Sequence, residues 1–267
     1  MFLTNILLAQ FWRLIKPNFI QMTRKIVTII VLFLSVIVQA QEKIFIYFDS
    51  SQAKIGGIYI QEPVGIFKLN AQAKLQAIIL GKFTAKQVVA TINDYERDRI
   101  KKVFQIGDIQ VATNRLKEIN YPDKYTLQEE AYKDLPVSIN NYKFSYFDNY
   151  YDDDVIKGKV KSVGGVKIKY YKNYYLNDVI KGSVSRIGTI SLELLNNYYQ
   201  PETIALVSQI GTIKIVYSKS YYEEKLNGKV IAIGGYKITY FNDVYDQKHL
   251  GEFKNISGSD SRFVLLQ

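Results

Sequence analysis

Two glycines separate two short alternating runs in Val160-Lys-Ser-Val-Gly-Gly-Val-Lys-Ile168. The same pattern returns downstream around the turn pairs that begin at Gly188, Gly211 and Gly234. Alternation of apolar and polar residues is typical of a strand with one buried face, and a Gly-Gly or Gly-Thr pair between two such runs is typical of a tight hairpin. Each copy therefore predicts a strand, a turn and a second strand.

Tyrosine pairs recur in phase with these turns, whose glycines are spaced by 23 or 24 residues. The pairs are Tyr150/Tyr151, Tyr174/Tyr175, Tyr198/Tyr199 and Tyr221/Tyr222, and Tyr245 continues the series. Two markers with one period indicate an internal repeat. We predict an all-β fold in which repeated hairpins of 23–24 residues form an antiparallel meander sheet, either extended or closing on itself.

Further copies are predicted upstream. Val103–Val111 fits the pattern fully, Val137–Phe144 fits with Asn140-Asn141 at the turn, Ile55-Gly-Gly-Ile58 is a candidate first copy, and Leu69–Leu75 is a candidate hairpin with a longer loop. Asn replaces Gly well at a turn because it tolerates the left-handed conformation. One short helix is expected over Thr126–Asp134, where Thr126 and Glu129 have the spacing of a capping box.

The length of the turn determines which residues share a face. A three-residue loop at Val163–Gly165 places Val160, Val166, Ile168 and Tyr170, with Ser162 among them, on one face and Lys159, Lys161, Lys167 and Lys169 on the other. A two-residue loop would instead pair Lys161 with Ile168, so the three-residue loop is favoured by alternation. The resulting one-sided sheet needs an apolar cover, either a second sheet or its own curvature.

The N-terminus predicts export. From Met22 the chain has a basic start, an apolar run Ile26–Ile37 and a small residue at Ala40, which are the parts of a signal peptide cleaved after Ala40. An uncleaved anchor is the alternative, but the run is shorter than the ~20 residues that span a bilayer. We expect an upstream extension at 1–21, a signal peptide at 22–40 and a single β-domain at 41–267 in a secreted or periplasmic protein.

Charge and cysteine content limit the partners. Residues 1–40 hold Arg13, Lys16, Arg24 and Lys25 and no acid, so removing these four positive charges lowers the net charge from +10 to +6. The lysines are dispersed through the predicted strands and no nucleic-acid motif accompanies them, which favours a solvated face over a phosphate-binding surface. The chain has no Cys, so the exported protein depends on packing rather than disulfides.

Catalytic signatures are sparse. With His249 as its one histidine and no Cys, the chain lacks Cys/His nucleophile pairs and Cys/His zinc sites. Asp152-Asp153-Asp154 is the densest acidic cluster, but its spacing is not that of a calcium loop and its repeat counterparts do not keep three acids. We predict no metal, no cofactor and no enzymatic activity. The alternative is a secreted hydrolase that uses carboxylates in the Tyr/Asp-rich loops.

The tyrosine pairs are the best candidates for function. One member of each pair can pack against its counterpart in the next unit, and the second can present an exposed amphipathic ring. We name Tyr151, Tyr175, Tyr199 and Tyr222 as candidate ligand-binding residues, and the alternative is a purely structural ladder. The predicted function is binding or scaffolding in the cell envelope, with a polysaccharide or a protein as partner, no nucleic acid and no membrane span after cleavage.

Membrane-spanning strands are a third possibility. They need ~9–11 residues with an outward apolar band, whereas the alternation here lasts about six residues. The hairpin units themselves resemble MORN-type repeats over residues 98–242, although the Gly-x-Trp or Tyr-x-Gly core of those units is absent. They resemble more closely the uncharacterised secreted Tyr-rich proteins of Bacteroidetes. This resemblance implies an exported hairpin-repeat protein and carries no activity.

Overall fold

A computed structural model describes residues 43–122, 134–147, 154–172, 177–196, 201–219, 224–242, 245 and 248–267. The predicted signal peptide, its cleavage site and most of the helix expected over Thr126–Asp134 lie outside these residues. What is described is predominantly β-structure in two sheets, with one α-helix among the described residues.

The predicted hairpin repeat forms a twelve-stranded sheet, called here the meander sheet, in which every strand pairs with its neighbours in the chain. The pairs are antiparallel, and the sheet ends at two unpaired edges, so it is open rather than closed. Its strands are β7 (Ile119–Asn120), β8 (Ser138–Ile139), β9 (Tyr142–Tyr146), β10 (Val160–Val163), β11 (Val166–Tyr170), β12 (Val184–Ile187), β13 (Ile190–Leu194), β14 (Val207–Ile210), β15 (Ile213–Tyr217), β16 (Val230–Ile233), β17 (Tyr236–Tyr240) and β18 (Phe253–Gly258).

The hairpin loops have two residues, so the expected three-residue loop was wrong. Val163 pairs directly with Val166, which leaves Gly164 and Gly165 as the loop. Both glycines have positive φ, 53° and 90°. Two-residue hairpin turns require positive φ because their twist must match the right-handed twist of the two strands.

The error has a physical cause, a β-bulge in the first strand of each unit. Val160 pairs with Tyr146 and Ser162 with Ser145, so Lys161 is an extra residue without a partner. The equivalent extra residues in the following units are Ser185, Ser208 and Ile231. A bulge interrupts strict alternation, and residues three apart both reach the core, as Val160 and Val163 do.

A second sheet, called here the mixed sheet, has seven strands in the order β19-β1-β2-β3-β4-β6-β5. Two of its contacts are parallel, between β1 and β19 and between β4 and β6. Its strands are β1 (Ile44–Asp49), β2 (Lys54–Glu62), β3 (Gly65–Leu69), β4 (Leu75–Leu80), β5 (Lys102–Ile106), β6 (Ile109–Thr113) and β19 (Val264–Leu266).

Three of the four upstream copies are hairpins and one is not. Val103–Val111 and Leu69–Leu75 correspond to β5–β6 and β3–β4 of the mixed sheet, and Val137–Phe144 corresponds to β8–β9 of the meander sheet. Ile55-Gly-Gly-Ile58 was wrongly predicted, since it lies within the continuous strand β2. A Cβ at Gly56 would stand 2.5 Å from Cδ1 of Tyr47. This glycine therefore leaves space for the Tyr47 ring and is not part of a turn.

The helix α1 spans Ala85–Glu96, a position that our sequence analysis did not predict. Its start carries a capping pair, because the Gln87 side chain accepts a 2.9 Å hydrogen bond from the backbone N–H of Thr84. Its buried residues Val88, Ile92 and Tyr95 recur at helical spacing and pack on the mixed sheet. It connects β4 to the β5–β6 hairpin, so that β6 lies parallel to β4.

The two sheets pack face to face through one apolar core, as a one-sided sheet requires. The bulges add polar links across this interface. The backbone N–H groups of Val184 and Val207 donate to the carbonyl oxygens of Ala73 and Ala71, at 2.8 and 2.9 Å. The N–H of Val230 donates to Ala53 in the same way. The bulged strands thus bind the loops of the mixed sheet through their backbone.

Candidate binding surface

The four predicted ligand-binding tyrosines, Tyr151, Tyr175, Tyr199 and Tyr222, lie outside the described residues. Their sequence positions fall between the end of a second strand and a turn that sequence analysis missed. This four-residue turn recurs five times, and its third residue has a positive φ each time. The third residues are Gly158, Gly182, Ala205, Gly228 and Gly251. The backbone N–H of Lys159 closes the first such turn on Ile156 O at 3.0 Å. A sequence signal existed, because four of these five positions are glycines with the repeat period.

Tyr245, the last member of the series, is described and is 94% exposed. Its ring is therefore far more exposed than the tyrosines at the ends of the second strands. An exposed aromatic ring at this position is what the predicted binding role of the series requires.

A different set of tyrosines is buried. Tyr170, Tyr217 and Tyr240 end the second strands, and each hydroxyl donates to the carbonyl oxygen of the valine ten residues earlier, at 3.0, 2.8 and 2.6 Å. Burial raises the pKa of each of these phenols above its ordinary value. Leu194 occupies the same position in the remaining unit. Each of these tyrosines therefore joins the two strands of its own hairpin, and none is available to a ligand.

The acidic cluster that the sequence singled out is described only in part. Asp152 and Asp153 lie outside the described residues, and Asp154 is exposed. Within the described part of the chain, no group of three His, Cys, Asp or Glu side chains is arranged to hold a metal ion. His249 contacts Glu252 at 2.9 Å on the surface.

Two carboxylates are enclosed, in separate places and in different surroundings: Glu62 Oε1 is buried without a hydrogen-bond partner, whereas Asp260 has several among the described residues. Glu62 packs against the hairpin tip at Gly188, and desolvation raises the pKa of its carboxyl. Asp260 accepts hydrogen bonds from the Arg262 side chain and from the N–H of Gly235, and these bonds lower the pKa of its carboxyl. The Arg262 guanidinium also donates to Thr212 O at 2.8 Å. The C-terminal segment thereby fastens two adjacent hairpin tips.

The outer face of the meander sheet is strongly basic. Its side chains alternate with the buried core residues along each strand, and the exposed cations among them are Lys143, Lys161, Lys167, Lys169, Arg186, Lys214, Lys237 and Lys254. Glu193 is the one acidic side chain on this face in the described residues. The prediction that Lys161, Lys167 and Lys169 share a solvated face is confirmed. Lys159 instead lies half-buried, with its Nζ 5.8 Å from the ring centre of Tyr170.

The charges on this face are not arranged to neutralise one another. Lys169 and Arg186 are direct partners on the adjacent strands β11 and β12. Like charges in that relationship repel, so the pair costs stability and gives the sheet nothing in return. The neighbouring row joins two hydroxyls to a further cation: Ser145 and Ser162 are hydrogen-bonded at 2.6 Å, and Ser162 is the direct partner of Lys167. The face therefore presents a concentrated positive potential.

Neither a membrane-spanning helix in the described part of the chain nor a known relative adds a second indication of function to the basic face. Among the described residues, no helix is both long and apolar enough to cross a bilayer. Comparisons with protein-family models, with curated proteins and with solved structures found no match to this chain.

Proposed function

We propose that this is an exported, non-catalytic β-hairpin repeat protein that binds an anionic polysaccharide of the cell envelope on the outer face of the meander sheet. One observation carries the proposal, the unneutralised row of exposed cations that includes Lys169 opposite Arg186. Adjacent strands are ~4.8 Å apart and residues on one face of a strand are ~7 Å apart. Cations at these spacings suit a polymer with closely repeated negative charges.

A polysaccharide is favoured over other polyanions by the predicted export. The signal peptide at 22–40 would carry the chain out of the cytoplasm, away from most nucleic acid. A bilayer surface usually recruits apolar side chains along with the cations. The cationic strands β10, β11 and β12 expose Lys161, Lys167, Lys169 and Arg186 and bury their apolar side chains apart from the half-buried Val166, and the exposed Val216 lies elsewhere on the face, on β15.

Tyr151, Tyr175, Tyr199 and Tyr222 belong to the same proposal as a second set of contacts. Aromatic rings pack on the C–H faces of sugars while the phenol hydroxyl stays solvated. Each of these four tyrosines has the same place in its repeat unit, so a chain-like ligand would meet them at regular intervals. We expect Tyr→Ala changes at these positions to weaken retention on the polysaccharide without lowering the melting temperature.

The proposal is tested by titrating the mature chain, which begins at Gln41, with polygalacturonate at low and at moderate salt. The variant Lys167→Gln/Lys169→Gln/Arg186→Gln should bind about tenfold more weakly, the expected loss from three exposed contacts. Lys86→Gln/Arg97→Gln/Lys101→Gln removes the same charge from the exposed surface around α1 and should bind like the wild type.

Four results would each contradict part of the proposal. Equal weakening in both triple variants would mean that only net charge matters. Binding that is unchanged by salt would exclude an electrostatic contact. Steady release of reducing ends from the polymer would show a hydrolase instead of a binding protein, and N-terminal mass analysis that begins before Gln41 would refute the cleavage.

A further inference from the structure

A second basic feature is a cleft of about 660 Å³ beside one corner of the meander sheet. Its apolar wall includes Val64, Phe83 and Tyr142, and its basic side chains are Lys82, Arg115 and Lys117. This size, with an apolar wall and a few polar groups, is typical of a small-molecule site.

The cleft is held by contacts that fix its walls. The Asn140 side-chain oxygen accepts from the N–H of Lys117 at 2.8 Å, and its amide donates to Arg115 O at 2.9 Å. Asn140 has a positive φ of 52° in the two-residue turn between β8 and β9. On the opposite side, Gln61 Nε2 donates to Phe83 O at 2.8 Å. The segment that carries Arg115 and Lys117 is thus tied to the edge of the meander sheet.

The charge in the cleft is of one sign. None of the described side chains that line it is acidic. Nor do the ion pairs found among the described residues include Lys82, Arg115 or Lys117. Three cations from two segments, Lys82 from one and Arg115 and Lys117 from the other, therefore line one space without a counter-ion among the described side chains. Arg115 also offers the planar fork that binds a carboxylate or a phosphate through two hydrogen bonds.

The apolar wall adds a second requirement on the ligand. Phe83 and Tyr142 are both half-buried, so part of each ring faces the cleft. A bare inorganic anion would leave these rings in water, whereas a sugar ring would cover them with its C–H face. The combination fits an anionic group attached to a small ring.

The cleft adjoins a strand that contributes to the basic face. The backbone N–H of Gly164, a cleft residue, donates to Lys143 O at 2.7 Å, and Lys143 is one of the exposed cations of the outer face. We propose that the cleft binds a single acidic sugar unit, such as the end of an anionic polysaccharide chain. The choice of a sugar as the ligand rests on the proposed function. The position of the site and its preference for an anionic ring rest on the residues of the cleft.

The experiment is calorimetric titration of the mature chain with trigalacturonate, with its neutral counterpart galactotriose, and with inorganic phosphate. Trigalacturonate should bind, and galactotriose and phosphate should each bind at least about tenfold more weakly, because each lacks one of the two contacts. Arg115→Gln/Lys117→Gln should lose about tenfold in affinity for the trimer. The matched control Arg97→Gln/Lys101→Gln, made on exposed residues near α1, should not.

The two proposals fail in different ways. If the cleft variant binds the trimer as well as the control does, with equal unfolding midpoints, the cleft inference is wrong. Equal affinity for phosphate and the trimer would also overturn it, because the ring contact would be absent. If the trimer does not bind but polygalacturonate still depends on Lys167, Lys169 and Arg186, the cleft inference fails and the proposed function stands. If the trimer binds through Arg115 while the polymer ignores those three residues, the proposed function fails instead.

Discussion

The hydroxyl of Tyr217 donates a 2.8 Å hydrogen bond to the carbonyl oxygen of Val207, which directly precedes the bulged residue Ser208. A bulge leaves backbone groups without partners in the ladder, and this tyrosine supplies one. The same bond joins Tyr170 to Val160 and Tyr240 to Val230. In these three units, the buried tyrosine therefore supplies the hydrogen-bond donor for a carbonyl group beside the bulge.

Tyr217→Phe should lower the free energy of unfolding by about 1–3 kcal/mol, because the Val207 carbonyl would remain buried without its donor. Urea denaturation of the wild type and the variant measures this difference. Tyr121→Phe is the matched control, since Tyr121 is 50% exposed and its ring contact with Phe104 does not need the hydroxyl, so the change should be close to neutral. Equal effects of the two substitutions would mean that the hydroxyl of Tyr217 does not stabilise the fold.

The buried phenols predict instability at alkaline pH. Burial raises the pKa of Tyr217 well above its ordinary value, and burial with nearby Glu96 and Asp98 raises the pKa of Tyr95 to about 12. An unfolded Tyr loses its proton near pH 10. Between pH 10 and 12 the folded state thus binds more protons, so stability present below pH 10 is lost as the pH rises.

The slope of stability against pH tests this account. Above pH 10, Tyr217→Phe should flatten the slope by up to about 1.4 kcal/mol per pH unit, the value for one proton. Urea midpoints collected across this range give the slope for each protein. An identical slope in wild type and variant would show that Tyr217 titrates normally in the folded protein.

Deletion of Ser208 should be far more damaging than its substitution. Without this residue the strand alternates regularly and Val207 and Ile210 still share a face, but the bulge disappears, so the bonds that it allows, from Val207 N–H to Ala71 O and from the Tyr217 hydroxyl to Val207 O, are lost. The expected cost is about 1–3 kcal/mol for each buried group left without a partner. Ser208→Ala keeps the bulge and should stay within about 0.5 kcal/mol. A deletion variant as stable as Ser208→Ala would refute the role of the bulge.

The hairpin tips should differ in their tolerance of side chains. Gly188 and Gly211 have nearly equal positive φ values, 55° and 56°. A Cβ at Gly188 would stand 2.3 Å from Glu62 Oε1, whereas one at Gly211 has open space. Gly211→Asn should therefore be mild, and Gly188→Asn should be worse. Gly211→Val should cost about 1–3 kcal/mol because a β-branched residue resists this φ. Melting temperatures check the order, and equal values for the two Asn variants would exclude the contact with Glu62.

The hairpin repeat was predictable because each unit has strong local signals, the glycine pair and the alternation around it. The loop length was not, because the bulge at Lys161 lets Val160 and Val163 face one side and so imitates a different register. The mixed sheet was largely missed, since its parallel contacts join segments as distant as β1 and β19. Helix α1 did carry a signal, Thr84 and Gln87 at capping spacing before Val88, Ile92 and Tyr95.

The sequence shows lysines at alternate positions of the predicted strands, but it does not show how closely cations from neighbouring strands approach one another. Lys169 and Arg186 become neighbours only through the pairing of β11 with β12. The cleft has no sequence signal at all, because Phe83, Arg115 and Tyr142 come from separate segments that the fold brings together. Local pattern predicts local structure, whereas a site built from distant segments requires the tertiary fold.

The most direct test of polysaccharide binding is the rate at which each lysine is acetylated, read by mass spectrometry with and without polygalacturonate. The polymer should slow acetylation of Lys161, Lys167, Lys169 and Lys214 on the outer face and leave Lys86 and Lys101 near α1 unchanged. Protection confined to Lys86 and Lys101, or equal for all exposed lysines, would contradict binding on the meander sheet.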